Sequence, residues 1–130
     1  MDFFVYSRAA IERIAPHDVP HLIVSITSRA DDLARLPIDE HTLEVVRLSF
    51  LDVGAGAPGA MTAEDARAIL AAFDRHRGGL ARIVAHCDAG MSRSPAVAIA
   101  LARRAGQDDT ELVRRYRPNS HVIAMLAEPR

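Results

Sequence analysis

The sequence contains no lysine and no tryptophan, and only one of its 130 residues is a cysteine. Without lysine, the Gly-Lys-Ser/Thr loop that binds nucleotide phosphates is excluded. A single cysteine cannot form an intrachain disulfide, and a lone thiol is typical of proteins in the reducing cytoplasm. The sequence therefore predicts a cytoplasmic protein that is stabilised without disulfides.

Long apolar runs and a strong net charge are missing as well. The most apolar stretch of the C-terminal half, residues 95–102, is too short to span a bilayer, and the N-terminus lacks the pattern of a secretory signal. The formal net charge is −1, so neither nucleic acid nor a membrane surface is expected as a partner. Hydrophobic residues make up 49% of the chain, which is enough for the core of one domain over residues 1–130. The oligomeric state stays open.

Two kinds of apolar segment alternate along the chain. Runs rich in branched residues predict strands at residues 3–6, 21–27, 43–51 and 80–86. Helical periodicity and end signals predict helices after Ser7, at residues 31–36, from Thr62 to Gly78, from Ser94 to Gly106, and at residues 110–116 and 120–127. The alternation predicts an α/β fold, in which helices flank a central, mostly parallel sheet to give three layers.

The most informative segment is His-Cys-Asp-Ala-Gly-Met-Ser-Arg-Ser-Pro, residues 86–95, which joins the last predicted strand to a helix. In α/β sheets, ligands bind at the carboxyl ends of the strands. Backbone N–H groups of a tight loop and the helix dipole can hold an anion there. The same groups favour the thiolate of Cys87, which is the nucleophilic form of a cysteine. The segment predicts an anion site with Cys87 at its start.

Other residues of this segment suit the same chemistry. Arg93 follows Cys87 by six positions, and its planar fork can hold two phosphate oxygens, as a lysine cannot. Gly90 permits a backbone conformation that is closed to other residues, or the close approach of a ligand. Ser94 is expected to cap the helix with Pro95 at the first helical position, and the Ser94 hydroxyl could also donate to the sulfur.

The nine residues 86–94 resemble the phosphate-binding loop of the protein tyrosine and dual-specificity phosphatases, and most of all that of small bacterial members. The resemblance is specific over residues 86–95 and looser over residues 45–125. It implies a protein tyrosine phosphatase-like fold and a two-step reaction, in which the Cys87 thiolate forms a phosphocysteine that water hydrolyses. No cofactor is expected, and the substrate would be a phosphotyrosine protein, with dual specificity or a small phosphate ester as further options. The implied phosphate-binding residues are Asp88, Ala89, Gly90, Met91, Ser92 and Arg93.

The leaving group needs a proton, which a carboxylic acid near the loop would supply. Asp52 ends a predicted strand 35 residues before Cys87 and precedes the glycine-rich residues 53–59, which would let a loop close. Because the families resembled carry their acid on a mobile loop at about this place, Asp52 is the predicted general acid. Asp65 is the second candidate, although it fits the first turn of a helix. Asp88 is the third, and its side chain is expected to point to solvent.

Three further interpretations stay open. Related loops also carry out sulfur transfer or arsenate reduction, and a phosphate-binding module without turnover is possible. Ser94 and Asp52 favour the phosphatase, and the intact pair of Cys87 and Arg93 counts against a module. In the plainest interpretation, Cys87 is a buried hydrophobic residue and Arg93 a surface charge. No metal is expected, because the histidines lack metal-ligand spacing. His86 and residues 117–119 are expected only to support the loop.

Overall fold

The computed structural model describes residues 1–127. Within them the strands are β1 (Asp2–Ser7), β2 (His21–Thr27), β3 (Thr42–Ser49) and β4 (Arg82–Cys87). The helices are α1 (Arg8–Ile11), α2 (Ala63–His76), α3 (Arg93–Arg104), α4 (Thr110–Arg115) and α5 (Ser120–Leu126). None of the helices in this part of the chain is long and apolar enough to cross a membrane.

The strands form one sheet in the order β1-β4-β2-β3, and each pair is parallel. This confirms the predicted α/β class. Strand β4 is internal, and its last residue, Cys87, lies beside Ser7 at the end of β1. Because all the strands are parallel, their carboxyl ends meet at one edge of the sheet. That edge is where such sheets bind ligands.

Helices cover both faces of the sheet, so the predicted three layers are present, although they are unequal. Helices α2, α3 and α5 cover one face, where Ile69 and Phe73 of α2 and Leu101 of α3 are fully buried against β2 and β4. The other face carries the short α1, whose Ile11 packs with buried residues of β2 and β4. Burial of each such side chain contributes about 1.5–3 kcal/mol. The apolar character of β4 therefore follows from its position between two covered faces.

The predicted helix at residues 31–36 is wrong, since this segment is irregular. The guanidinium of Arg8 donates to the carbonyls of Asp32 and Leu33, at 3.2 and 3.1 Å. The Glu12 carboxylate accepts from the backbone N–H of Arg35 at 3.0 Å. Backbone groups that a helix would pair internally are thus satisfied by side chains from α1 and the residue after it. The local sequence pattern could not show this competition.

Candidate active site

Cys87 lies at the carboxyl end of β4 and is 2% exposed. The hydroxyl of Ser94, which is fully buried in the first turn of α3, donates to the Cys87 sulfur at 3.1 Å. A hydroxyl donor at this distance stabilises negative charge on the sulfur. The strand and the helix thus bring together two residues that the sequence placed in one site.

Residues 88–92 form the loop between β4 and α3, and its carbonyls are held by other parts of the chain. Backbone N–H groups of Arg8, Arg117 and Asn119 donate to the carbonyls of Asp88, Met91 and Ser92, each at 3.1 Å. Since a trans peptide unit is planar, the N–H that follows each of these carbonyls points the opposite way. Among residues 1–127, no protein acceptor takes a hydrogen bond from the N–H groups of residues 88–92. The loop therefore offers a set of backbone donors suited to an anion.

Helix α3 begins earlier than predicted. Its first residue is Arg93 and its N-cap position is Ser92, so the expectation that Ser94 caps the helix is wrong. Ser94 and Pro95 are the second and third helical residues, where a missing N–H costs no intrahelical hydrogen bond. The Ser92 hydroxyl does not cap the helix either, because it donates to Asp52 Oδ1 at 2.8 Å. Both serines bind side chains of the site instead of completing the helix end.

Arg93 turns its guanidinium back under the loop and is 5% exposed. Its Nη1 donates to the Phe50 carbonyl at 2.8 Å and to Ser28 Oγ at 3.0 Å. Its Nη2 donates to Asp88 Oδ2 at 3.0 Å. Arg93 is therefore a buried group that is hydrogen-bonded to residues at the ends of β2 and β3. This excludes the interpretation of Arg93 as a solvated surface charge.

The Asp88 side chain is 48% exposed, which agrees with the expectation that it points to solvent, but its carboxylate also accepts a hydrogen bond from the buried Arg93. Besides Arg93, its Oδ2 accepts from the hydroxyl of Ser28 at 2.7 Å. Burial opposes ionisation of this carboxyl group, but the hydrogen bonds from Ser28 and Arg93 outweigh it and lower the pKa of Asp88. An ionised carboxylate thus lies beside the buried guanidinium.

Asp52 adjoins the loop, as its predicted role requires. Its Oδ1 accepts from Ser92 Oγ and from Asn119 Nδ2, both at 2.8 Å. Asn119 Nδ2 also donates to the Val53 carbonyl at 3.1 Å, and Asn119 caps α5 through its side-chain oxygen. Sequence reasoning gave residues 117–119 a supporting role only. The Arg-Pro-Asn pattern was the one signal that could have identified Asn119 as a neighbour of Asp52.

The Asp65 carboxylate takes part in the N-terminal cap of helix α2. Its carboxylate accepts from the Thr62 backbone N–H at 3.0 Å, and the Thr62 hydroxyl accepts from the Asp65 N–H at 3.1 Å. This capping box starts α2. Asp65 also lines a cavity of about 240 Å³ next to the ends of β2 and β3, but Cys87 and Arg93 do not line that cavity. The arrangement makes Asp65 a helix-start residue.

One group of possible metal ligands lies away from this edge of the sheet. Asp39, Glu40 and His41 bring their ligand atoms within 4.8 Å of one another. Both carboxylate oxygens of Asp39 already accept from His41, one from its backbone N–H and one from its ring. The group is a local turn at the protein surface, and no binding role follows from it.

Gly90 has a φ of +70°, and a Cβ built on it would lie 2.7 Å from the backbone nitrogen of Ser7. Gly90→Ala is therefore expected to lower the free energy of unfolding by more than about 2 kcal/mol and to displace the loop from the end of β1. Urea unfolding measures the change. Gly78→Ala is the matched control, because nothing lies within 4 Å of its Cβ. Wild-type stability of Gly90→Ala would contradict the loop geometry.

His86 is fully buried immediately before Cys87. Its Nδ1 lies 3.4 Å from the Cys87 carbonyl, which can only accept, and its Nε2 lies 2.6 Å from Ser25 Oγ. The neutral ring therefore donates from Nδ1 and accepts from Ser25 at Nε2. Burial lowers the pKa of His86 more than the hydrogen bond to Cys87 raises it. The ring is thus neutral at physiological pH and supports the strand end.

The lowered pKa of His86 predicts how stability depends on pH. The unfolded chain takes up a proton on this ring near its ordinary pKa of 6.5, whereas the folded chain resists protonation to lower pH. The contribution of His86 to stability is complete above about pH 6.5 and is lost as the pH falls toward the folded pKa. Urea unfolding should show declining stability from pH 7 to pH 5, and His86→Asn should flatten the decline. Stability that rises on acidification over this range would contradict the prediction.

Solved structures similar to this one include those of three proteins. Human DUSP28 shares 20% identity at a TM-score of 0.56, covering 95% of this chain and 87% of its own. Tk-PTP in its active form shares 23% identity at a TM-score of 0.55, covering 98% and 91%. A human tyrosine phosphatase-like serine/threonine/tyrosine-interacting protein shares 19% identity at a TM-score of 0.53, covering 83% and 74%. No protein-family model and no curated protein sequence matches the chain.

Proposed function

Since the chain has the fold of the protein tyrosine and dual-specificity phosphatases, we propose that it is a cysteine-dependent phosphatase. It hydrolyses phosphate monoesters, phosphotyrosine first and phosphoserine or phosphothreonine in a dual-specificity form. The observation that carries the proposal is the position of the Cys87 sulfur, which has Ser94 as its donor and lies at the start of a loop whose N–H groups find no acceptor among residues 1–127. Arg93 lies under the same loop.

The first step transfers the phosphoryl group to the protein. The Cys87 thiolate attacks phosphorus, so that an S–P bond forms while the P–O bond to the leaving group breaks. The loop N–H groups and Arg93 stabilise the charge on the phosphoryl oxygens as it develops. Asp52 gives its proton to the departing oxygen, so the leaving group departs as an alcohol or phenol.

The second step returns the protein to its starting state. The Asp52 carboxylate takes a proton from a water molecule, whose oxygen attacks phosphorus while the S–P bond breaks. Inorganic phosphate is the product, and the electron pair of the S–P bond returns to the sulfur. Ser94, at 3.1 Å from that sulfur, stabilises it as the leaving thiolate.

A phosphate-binding module without turnover is the second candidate, because one structural neighbour is described as phosphatase-like and interacting. The position of Asp52 beside the loop favours turnover, since a module needs no acid there. Sulfur transfer has no oxygen leaving group and needs no such acid, whereas arsenate reduction expels an oxygen from arsenic and is distinguished by its own assay.

Phosphate release from a panel of substrates tests the proposal. The panel contains p-nitrophenyl phosphate, phosphotyrosine, phosphoserine and phosphothreonine peptides, and alkyl phosphates. We expect hydrolysis of the aryl substrates that vanadate inhibits competitively. Thiosulfate with cyanide, and arsenate with a thiol, are assayed in parallel for the other two reactions. Tungstate binding without hydrolysis of any panel member would assign the chain to the binding modules instead.

A further inference from the structure

Ser28, Asp88 and Arg93 form a closed ring of hydrogen bonds. Arg93 Nη1 donates to Ser28 Oγ at 3.0 Å, Ser28 Oγ donates to Asp88 Oδ2 at 2.7 Å, and Arg93 Nη2 donates to the same Oδ2 at 3.0 Å. Because the ring contains both Nη1 and Nη2, it engages the edge of the guanidinium that lies between these two nitrogens.

The ring leaves the Nε–Nη2 edge of the guanidinium available. A guanidinium has five N–H donors, and three of those of Arg93 are used by Phe50, Ser28 and Asp88. The donors that remain are Nε–H and one Nη2–H, for which residues 1–127 provide no acceptor. These two point in the same direction, which is the geometry of a bidentate phosphate contact.

We propose that Ser28 and Asp88 are positioning residues that hold Arg93 with its Nε–Nη2 edge toward the phosphate. The proposal rests on the proposed function, because it concerns the same site. Arg93 is 7% exposed at its side chain and Asp88 is 48% exposed, so the buried partner is oriented by a carboxylate that reaches in from the surface. A hydrogen bond between charged groups fixes this orientation more firmly than a neutral one.

Comparison of asparagine and alanine at position 88 distinguishes the orientation of Arg93 by an acceptor oxygen from the effect of the negative charge of Asp88. Asparagine keeps an oxygen that can accept from Arg93 and Ser28, whereas alanine keeps none. We expect Asp88→Ala to raise the Kd of tungstate and to lower kcat/KM by about 10- to 100-fold. Asp88→Asn should bind tungstate and turn over substrate at least about tenfold better than Asp88→Ala. Tungstate binding is measured by calorimetry, and Asp31→Ala is the control, since Asp31 pairs with Arg29 at the surface.

A charge effect alone makes the opposite prediction. Removal of a carboxylate beside an anion site would tighten tungstate binding equally in both Asp88 variants, and that result would overturn the proposal. If Asp88→Ala does not fold, Ser28→Ala and Ser28→Thr take its place, and only the threonine variant should retain binding. Equal affinity in the two Ser28 variants, or a wild type that binds no tungstate, would also overturn it. If the wild type binds tungstate but hydrolyses no substrate, the proposed function is refuted. The tungstate affinities of the variants then still test the positioning role of Ser28 and Asp88.

Discussion

Cys87→Ser is expected to lower the hydrolysis of aryl phosphates by about 10⁴-fold or more while tungstate binding stays intact. A serine hydroxyl is far less acidic than a thiol, so it needs a base to become a nucleophile. Among the described residues, its neighbour Ser94 can donate a hydrogen bond to it but cannot act as that base. The anion contacts come from the loop N–H groups and Arg93, which the substitution leaves in place. Steady-state kinetics and calorimetry on the same preparation measure the two effects.

Arg93→Lys serves as the contrasting variant. A lysine ammonium cannot make the bidentate contact, so both tungstate affinity and turnover should fall. Arg29→Lys is the surface control, because within residues 1–127 the Arg29 side chain pairs with Asp31 alone, two residues away. Substantial phosphatase activity in Cys87→Ser would overturn the mechanism, since it would mean that the sulfur does not form the intermediate.

Local patterns predicted most of the fold because the interactions that create its elements are local. Strands β2 and β4 carry runs of branched and apolar residues that suit burial on both faces. Helix α2 begins with a capping box that is contained in four consecutive residues. The strand–loop–helix segment around Cys87 is likewise one continuous stretch, so its placing at the sheet edge followed from the alternation of elements alone.

The errors arose where distant residues compete for the same groups. The hydrogen bond between Ser28 and Asp88 was not predicted, because the two residues lie 60 positions apart in the sequence. Asn119 contacts Asp52 across 67 positions, and no periodicity connects the two. The irregular segment at residues 31–36 is likewise determined by side chains from α1 and the residue after it. Such contacts exist only once the sheet has formed.

Asp52→Asn is expected to lower kcat for alkyl phosphates and other poor leaving groups by about 10²–10⁴-fold. Oδ1 of Asp52 is held by Ser92 and Asn119, whereas no donor within residues 1–127 engages Oδ2, which is therefore the oxygen that would carry the proton. Good leaving groups need this proton less, so kcat for p-nitrophenyl phosphate should fall less. The Brønsted plot of kcat against leaving-group pKa should accordingly become steeper in the variant.

A second carboxylate variant provides the control for this role. Asp65→Asn is the matched control, because the Asp65 carboxylate binds the Thr62 N–H and its loss should change stability slightly and kcat hardly at all. Equal activity of Asp52→Asn and wild type on alkyl and aryl phosphates would place the acid elsewhere. Asp88, the other carboxylate at the loop, would then be the group to test, although its lowered pKa makes it a poor proton donor at neutral pH.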